Sequence, residues 1–374
     1  MVTRQLRRRA FSVIELLTVL LIVAIVLAIV VPSLAAIRRS SRSVETRTLM
    51  TLLSNACVQF ETDNRRLPGY FSAADLGHSE NEIRGFTTMQ NVMLDLAGGL
   101  VQSASATPIP GVVTGIGPRN GAANQIAVNV DLIGAGSGGR SYFNVASKFF
   151  ARQDGSAVGQ RFGAPANATI PELVDSHGTP ILMWMQDPAF TAPIEGPSDF
   201  ARVNADGGSA RYYWAQNSAF LNSDGTPLRV GRLGRSQATE SLLGRHARMD
   251  AVPPETRPTD AFLISLRGFL GRPGSALDPT RSVTLIEPAE ARGRFVIHSA
   301  GSNGIFLARA AAADPIGGDI VGAKLTSRVG SLDNVLSYGL NYRLPNNDLQ
   351  VDDANQPSTR DVLDNFDDIV VPGT

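Results

Sequence analysis

One long apolar run dominates the N-terminal part of the chain. Residues 11–31 read FSVIELLTVLLIVAIVLAIVV, in which 18 of 21 positions are apolar. At ~1.5 Å rise per residue, a helix of this length spans about 31 Å, which matches the hydrocarbon core of a bilayer. No charged residue occurs from Leu16 to Ile37. The pattern therefore predicts a membrane-spanning helix over residues 11–37.

Beyond residue 37 the pattern becomes amphipathic. The apolar positions follow the spacing of one helix face, at Leu49, Leu52, Leu53, Ala56, Cys57 and Phe60. We interpret residues 11–63 as one helix about 78 Å long, whose second half, residues 38–64, packs on a globular domain. Pro68-Gly69 predicts the end of this element. The remaining chain, residues 65–374, is called the head.

The head contains shorter predicted elements. Residues 259–270 (TDAFLISLRGFL) have apolar residues at helical spacing, with Thr259 in the position of an N-cap. Residues 282–287 and 294–299 predict two strands, separated by a turn around residues 288–293.

Composition and charge exclude several classes of protein. The chain has 34 basic and 34 acidic residues, so its formal net charge is zero, and 43% of its residues are hydrophobic. These values argue against a disordered polyelectrolyte and against nucleic acid as a partner. The single cysteine, Cys57, excludes an internal disulfide and a thiolate zinc site, and the four histidines lack metal-ligand spacing.

The sequence supports no catalytic assignment. It contains neither a nucleophile-elbow motif nor a zinc-protease motif. Gly134–Gly139 (GAGSGG) has the spacing of a dinucleotide-binding loop, but no regular β-α-β alternation surrounds it. A hairpin loop is the favoured interpretation there. We therefore expect no enzyme activity.

Glu15 is the unusual residue of the apolar run. An ionised carboxylate costs on the order of 2–3 kcal/mol toward the centre of a bilayer, and such a residue is a functional hypothesis by default. A secretory signal has a shorter apolar region of about 7–15 residues before its cleavage site. A secretory signal cut near Ser33–Ala35 and a plain signal anchor are the alternatives, and neither accounts for Glu15.

The residues around this run resemble the prepilin signal of the type IV pilin and type II secretion pseudopilin family. That signal has basic residues, a small residue and a Phe-Thr-Leu-Ile-Glu-Leu type run, and this chain reads Arg8-Arg9-Ala10 before Phe11-Ser12-Val13-Ile14-Glu15-Leu16. The resemblance implies that residues 1–10 are a leader removed between Ala10 and Phe11 by a prepilin peptidase. It also implies N-methylation of Phe11 and roles in filament assembly for Glu15 and Pro32, the latter at the family's helix-kinking proline. The family usually has Gly where this chain has Ala10.

Three segments, one at the end of the long helix and two within the head, are similar to the major pseudopilins. They are FETDNRRLPG at 60–69, with Arg65 in place of the family's Gly, LVDSHGTPILMW at 173–184, and FVIHSAGSNG at 295–304. The implied fold class is α+β, with a long N-terminal helix, membrane-spanning in its first half, packed on a small antiparallel β-sheet head. The head is larger than usual, which implies insertions at about 80–165 and 187–290.

The acidic C-terminus raises the question of a metal. Major pseudopilins bind calcium between a Gly-x-Asp-Gly turn and a terminal Asp-Ile, and this chain ends with Asp367-Asp368-Ile369. The resemblance therefore implies calcium as a cofactor, held by Asp367, Asp368 and the turn at Asn303. Asn303 stands where the family has Asp. A solvated acidic tail is the favoured interpretation of these residues, and calcium is the alternative.

The resemblance implies a structural subunit that assembles into a pseudopilus for type II protein secretion. A type IV pilus or minor pilin subunit, and a membrane-anchored periplasmic enzyme or binding protein, are the alternatives. The expected partners are a prepilin peptidase, other pilin-like subunits, an inner-membrane assembly platform and membrane lipid. Basic residues flank both ends of the apolar run, so the resemblance, rather than the charge count, places the N-terminus in the cytoplasm and the head in the periplasm.

Overall fold

The computed structural model describes eleven parts of the chain: 13–101, 110–121, 125–133, 141–151, 166–194, 197–221, 237, 241–244, 261–272, 290–308 and 366–373. The chain divides into two compact units, Met1–Glu45 and Thr46–Thr374. The second unit contains the last part of the long helix together with the head.

The long helix is present as predicted. Helix α1 runs without interruption over Val13–Asn64, 52 residues, and continues through residue 32. Its end agrees with the predicted end at residues 63–64, and Arg65, the next residue, takes a left-handed conformation with φ of 56° and donates its backbone N–H to Glu61 O at 2.7 Å. A left-handed residue after the last turn ends a helix, so α1 stops before Pro68-Gly69.

Besides four short 3-10 helices, the described residues form six shorter α-helices and twelve strands. The helices are α2 (Ala73–Leu76), α3 (Ser79–Arg84), α4 (Thr88–Leu96), α5 (Pro197–Phe200), α6 (Ser218–Leu221) and α7 (Ala261–Leu270). The strands are β1 (Leu100–Val101), β2 (Val112–Ile116), β3 (Ile126–Asn129), β4 (Phe150–Ala151), β5 (Glu172–Leu173), β6 (Leu182–Met185), β7 (Ala201–Arg202), β8 (Tyr212–Tyr213), β9 (Gly271–Arg272), β10 (Glu290–Ala291), β11 (Phe295–Ser299) and β12 (Ile369–Gly373).

The central sheet joins three segments that are distant in sequence. Its strand order is β12-β11-β6, with both pairings antiparallel. Ile297 in the middle of β11 lies opposite Val371 on one side and Met183 on the other. With its long N-terminal helix and small antiparallel sheets, the protein is a mixed α and β structure compatible with the expected α+β class.

One face of the sheet packs against α1. Since side chains alternate between the faces of a strand, Phe295, Ile297 and Met183 point to this side, where they join one core with α1 and α4. The predicted stripe of α1 supplies Leu49, Leu53, Ala56, Cys57 and Phe60, all buried. The prediction that Leu52 is buried is wrong: Leu52 is 51% exposed, because it lies at the edge of the stripe. Met50 and Thr46 are buried on this side of the helix instead.

The opposite face of the sheet is also covered. Leu182, Trp184 and Val296 point into a second core that is built from residues 200–221, 242–243 and 266–270. Helix α7 confirms the predicted helix at 259–270, although Thr259 lies outside the described residues. A sheet with a core on each face is buried on both sides, which explains why β11 is entirely buried.

Four further expectations for the head have mixed outcomes. Strand β11 confirms the prediction at 294–299, whereas the predicted turn at 288–293 contains β10, which pairs with β9. The predicted strand at 282–287 and the glycine-rich segment Gly134–Gly139 lie outside the described residues.

Candidate functional site

The first part of α1 is an exposed apolar surface. Val13–Val31 is the one segment of the described chain that is long and apolar enough to cross a membrane, and none of it is buried. Glu15 is exposed in the first described turn of the helix, where a carboxylate interacts favourably with the N-terminal end of the helix dipole. This position lowers the cost of a charge at the start of an otherwise apolar segment.

The second part of α1 is attached to the sheet by polar contacts as well as by the core. The hydroxyl of Thr46 accepts a hydrogen bond of 3.1 Å from the backbone N–H of Ser176, in the turn before β6. Further along the helix, Glu61 Oε1 lies 2.5 Å from Nη1 of Arg294, the residue before β11. Both ends of this part of the helix are thereby joined to the central strands.

Asp175 organises the turn that leads into β6. Its Oδ1 accepts hydrogen bonds from the backbone N–H groups of His177 at 2.8 Å and Thr179 at 2.9 Å, and its Oδ2 accepts one from the Ser299 hydroxyl at 2.6 Å. Asp175 is 2% exposed. Burial raises the pKa of this carboxyl to about 6, against the opposing effect of its hydrogen bonds.

Asp367 holds the turn that follows β11. Its Oδ2 accepts hydrogen bonds from Ser302 N at 2.8 Å, Ser302 Oγ at 2.7 Å and Asn303 N at 3.1 Å, and its Oδ1 accepts one from Asn303 Nδ2 at 2.7 Å. Gly301 has φ of +64°, and a Cβ there would lie 2.3 Å from the Asp367 carbonyl oxygen. Glycine is therefore required where the two segments meet.

The next residue, Asp368, is buried against a histidine. Asp368 Oδ2 lies 2.5 Å from Nε2 of His298 and accepts a hydrogen bond of 3.0 Å from Leu307 N. Both side chains of the pair are fully buried. Burial lowers the pKa of His298 to about 3, and burial together with the neighbouring charge of Asp367 raises the pKa of Asp368 well above its usual value. The two groups thus form a structural pair in the second core, where His298 packs against Phe269 and Phe306.

These contacts bear on the predicted calcium site. Calcium takes six to eight oxygen ligands, yet both Asp367 oxygens face N–H and O–H donors, and Asn303 Oδ1 accepts from Ile305 N at 2.8 Å. Among the described residues, no group of three or more His, Cys, Asp or Glu is arranged to hold a metal. This arrangement of donors around Asp367 and Asn303 does not fit a calcium ion. Calcium binding by this protein stays a prediction. Asp367 and Asp368 also do not belong to a solvated tail, because Asp368 is buried and β12 follows directly.

The other predicted site residues are distributed as follows. Ala10 and Phe11 lie outside the described residues, while Pro32 lies within α1. Cys57 is buried and burial raises its pKa to about 12, in agreement with a small core residue. Sequence reasoning missed Asp175 and His298, although the Asp-Ser-His-Gly sequence at 175–178 is a recognisable signal for an Asx turn.

Comparison of the chain with protein-family models, curated proteins and solved structures finds no match.

Proposed function

We propose that this protein is a pilin-like structural subunit, inserted in the inner membrane and assembled into a pseudopilus for type II protein secretion. The observation that carries the proposal is the construction of α1. One uninterrupted helix contributes both an exposed apolar segment, Val13–Val31, and a stripe that is buried in the core of the head, Leu49–Phe60. This construction suits a pilin-like subunit, because one helix must both anchor it in the membrane and form part of its head.

The contacts between two of the segments that resemble the family support the same proposal. The motifs at 173–184 and 295–304 lie on adjacent strands, and Asp175 of the first accepts the hydroxyl hydrogen bond of Ser299 in the second. The C-terminal Asp367 then caps the turn of the second motif. The two segments that resemble the family thus lie side by side in the sheet and are joined by a buried hydrogen bond.

Glu15 supplies the chemistry of assembly in this proposal. When the apolar segments of several subunits pack together away from water, a carboxylate that leaves water is costly or takes up a proton. Removal of residues 1–10 creates a cationic amine on Phe11, four residues or about 6 Å from Glu15 along the helix axis. An axial shift of this size between neighbours brings the amine of one subunit level with Glu15 of the next. The ion pair then sets the register, while apolar packing provides most of the attraction.

The mass of the mature protein tests this proposal. We expect a chain that starts at Phe11 and carries one added methyl group, produced only in cells that contain a prepilin peptidase. Ala10→Gly, which restores the usual residue before the cut, should be processed at least as fast as the wild type. A mature terminus near Ala35 or Ala36 would indicate an ordinary secretory signal. Retention of residues 1–10 in the presence of the peptidase would indicate a plain anchor, and both results reject the filament subunit.

A further inference from the structure

A cluster of three arginines follows the apolar segment of α1 directly. Arg38, Arg39 and Arg42 are all exposed, and Arg38 comes immediately after Ile37, which is itself apolar and 63% exposed. No acidic residue occurs between Glu15 and Glu45. The helix therefore presents three positive charges within five residues, at the point where its apolar surface ends.

Helix geometry directs these side chains toward the apolar segment. The Cα–Cβ bonds of an α-helix tilt toward its N-terminus, so the arginine side chains lean back toward the residues that cross the membrane. Arg38 lies seven residues, about 10 Å, beyond Val31, and the headgroup layer extends roughly 5–8 Å beyond the hydrocarbon core. Long basic side chains bridge such a gap by extending their charged ends to the headgroups.

We infer that Arg38, Arg39 and Arg42 form a binding surface for the phosphates of anionic phospholipids in the leaflet next to the C-terminal end of the membrane segment. Clustered arginines beside a membrane helix attract anionic lipid, and each guanidinium can donate two parallel hydrogen bonds to one phosphate. The inference requires only that α1 crosses a membrane. It holds for either orientation and does not depend on filament assembly.

This surface also fixes the depth of Glu15. Along the helix axis, Glu15 lies about 35 Å from Arg38. If the arginines stay at the headgroups of one leaflet, Glu15 is placed at the opposite boundary of a hydrocarbon core about 30 Å thick. The lipid contact thus keeps a carboxylate out of the bilayer centre, where it would be most costly.

Lipid selectivity of the full chain tests the inference. The purified chain is exposed in mixed micelles to equal amounts of phosphatidylglycerol and phosphatidylcholine with the same acyl chains, and the lipids retained by the protein are identified by native mass spectrometry. We expect the wild type to retain phosphatidylglycerol roughly ten-fold over phosphatidylcholine, and this preference to fall in molar salt. The R38Q/R39Q/R42Q variant should lose most of this preference and keep only the part contributed by the arginines at 4–9, whereas R38K/R39K/R42K, which keeps the charges, should retain most of the preference.

Two controls address membrane insertion and contacts between subunits. All variants should float with phosphatidylcholine vesicles, because the apolar segment is unchanged, and this confirms that they are inserted. Equal retention of both lipids by the wild type overturns the inference, and so does a glutamine variant whose preference is as strong as that of the wild type. Loss of binding between copies of the chain in the glutamine variant, without any lipid selectivity of the wild type, would instead assign the arginines to contacts between subunits.

Discussion

The hydroxyl of Ser299 donates a hydrogen bond of 2.6 Å to Oδ2 of Asp175, and both residues are buried. Ser299 ends the central strand β11, whereas Asp175 begins the turn before β6. The same carboxylate also accepts hydrogen bonds from two backbone N–H groups of its own turn. Asp175 therefore stabilises its own turn and links it to a residue 124 positions away in sequence. The position of the turn and the end of the strand are thereby coupled.

The pH dependence of stability provides a test of Asp175. Its pKa in the folded chain is raised from 3.8 to about 6, so the folded state holds a proton between about pH 4 and pH 6 that the unfolded state releases. The stability linked to this group is therefore present below about pH 4 and is lost as the pH rises through about 6. A shift of this size corresponds to about 3 kcal/mol.

Asp175→Asn should remove this contribution, because the amide keeps an acceptor for His177 and Thr179 but does not titrate. Urea unfolding of the full chain in detergent, followed by tryptophan fluorescence from pH 4 to pH 7, measures the effect. Asp63→Asn, which changes an exposed carboxylate, is the control and should retain the wild-type profile. A wild-type profile in Asp175→Asn would show that Asp175 is not the titrating group.

Asn303 provides a test of the C-terminal turn. Its Nδ2 donates to Asp367 at 2.7 Å, so Asn303→Asp would place two carboxylates against each other in a buried turn. We expect the free energy of unfolding to fall by about 2 kcal/mol without calcium. Millimolar calcium should recover part of this loss in the variant, because the ion would neutralise the pair.

The wild type should show no rise in melting temperature from micromolar to millimolar calcium, since an amide already supplies the donor that Asp367 needs. Asn120→Asp, at an exposed position, serves as the matched control. A calcium-dependent rise in the wild type would support the metal site implied by the family resemblance and contradict the hydrogen-bonded turn.

Glu15 provides a test of filament register. Glu15→Ala should leave membrane insertion and leader cleavage intact, because the helix becomes more apolar and the junction at Ala10 is unchanged. Co-purification with other subunits of the filament should be lost, since the Phe11 amine loses its counter-charge. Thr18→Ala, another polar-to-alanine change in the same segment, should assemble normally. Wild-type assembly of Glu15→Ala would indicate an edge residue at the headgroups and reject the register mechanism.

Arg65 provides a test of backbone strain at the end of α1. A residue with a side chain pays on the order of 1–2 kcal/mol for the left-handed conformation that Arg65 adopts, and glycine does not. Arg65→Gly should raise the free energy of unfolding by roughly 0.5–1 kcal/mol, because greater freedom in the unfolded chain offsets part of the gain. Arg65→Ala keeps the strain and should change stability little. If both substitutions changed the free energy of unfolding equally, the change would come from loss of the Arg65 charge and not from relief of backbone strain.

The sequence alone determined the long helix and most of its buried stripe. Both depend on local properties, namely the length of the apolar run and the repeat of apolar positions every three to four residues, and these need no knowledge of distant segments. The same holds for α7 and for β11, whose apolar patterns lie within short stretches.

Only the tertiary structure decided which polar residues are buried and what they contact. His298 lies between Ile297 and Ser299 on β11, and the short sequence around it does not give its partner. Its burial against Asp368 follows from the pairing of β11 with β12, about 70 residues away. Likewise, the aspartates at 367 and 368 are part of an acidic sequence, yet one caps a turn and the other lies in the second core. The pairing of distant strands determines how deeply each carboxylate is buried and which groups it contacts. Burial and contacts then determine its charge state, because an ionised group is stable inside a protein only where nearby donors replace water.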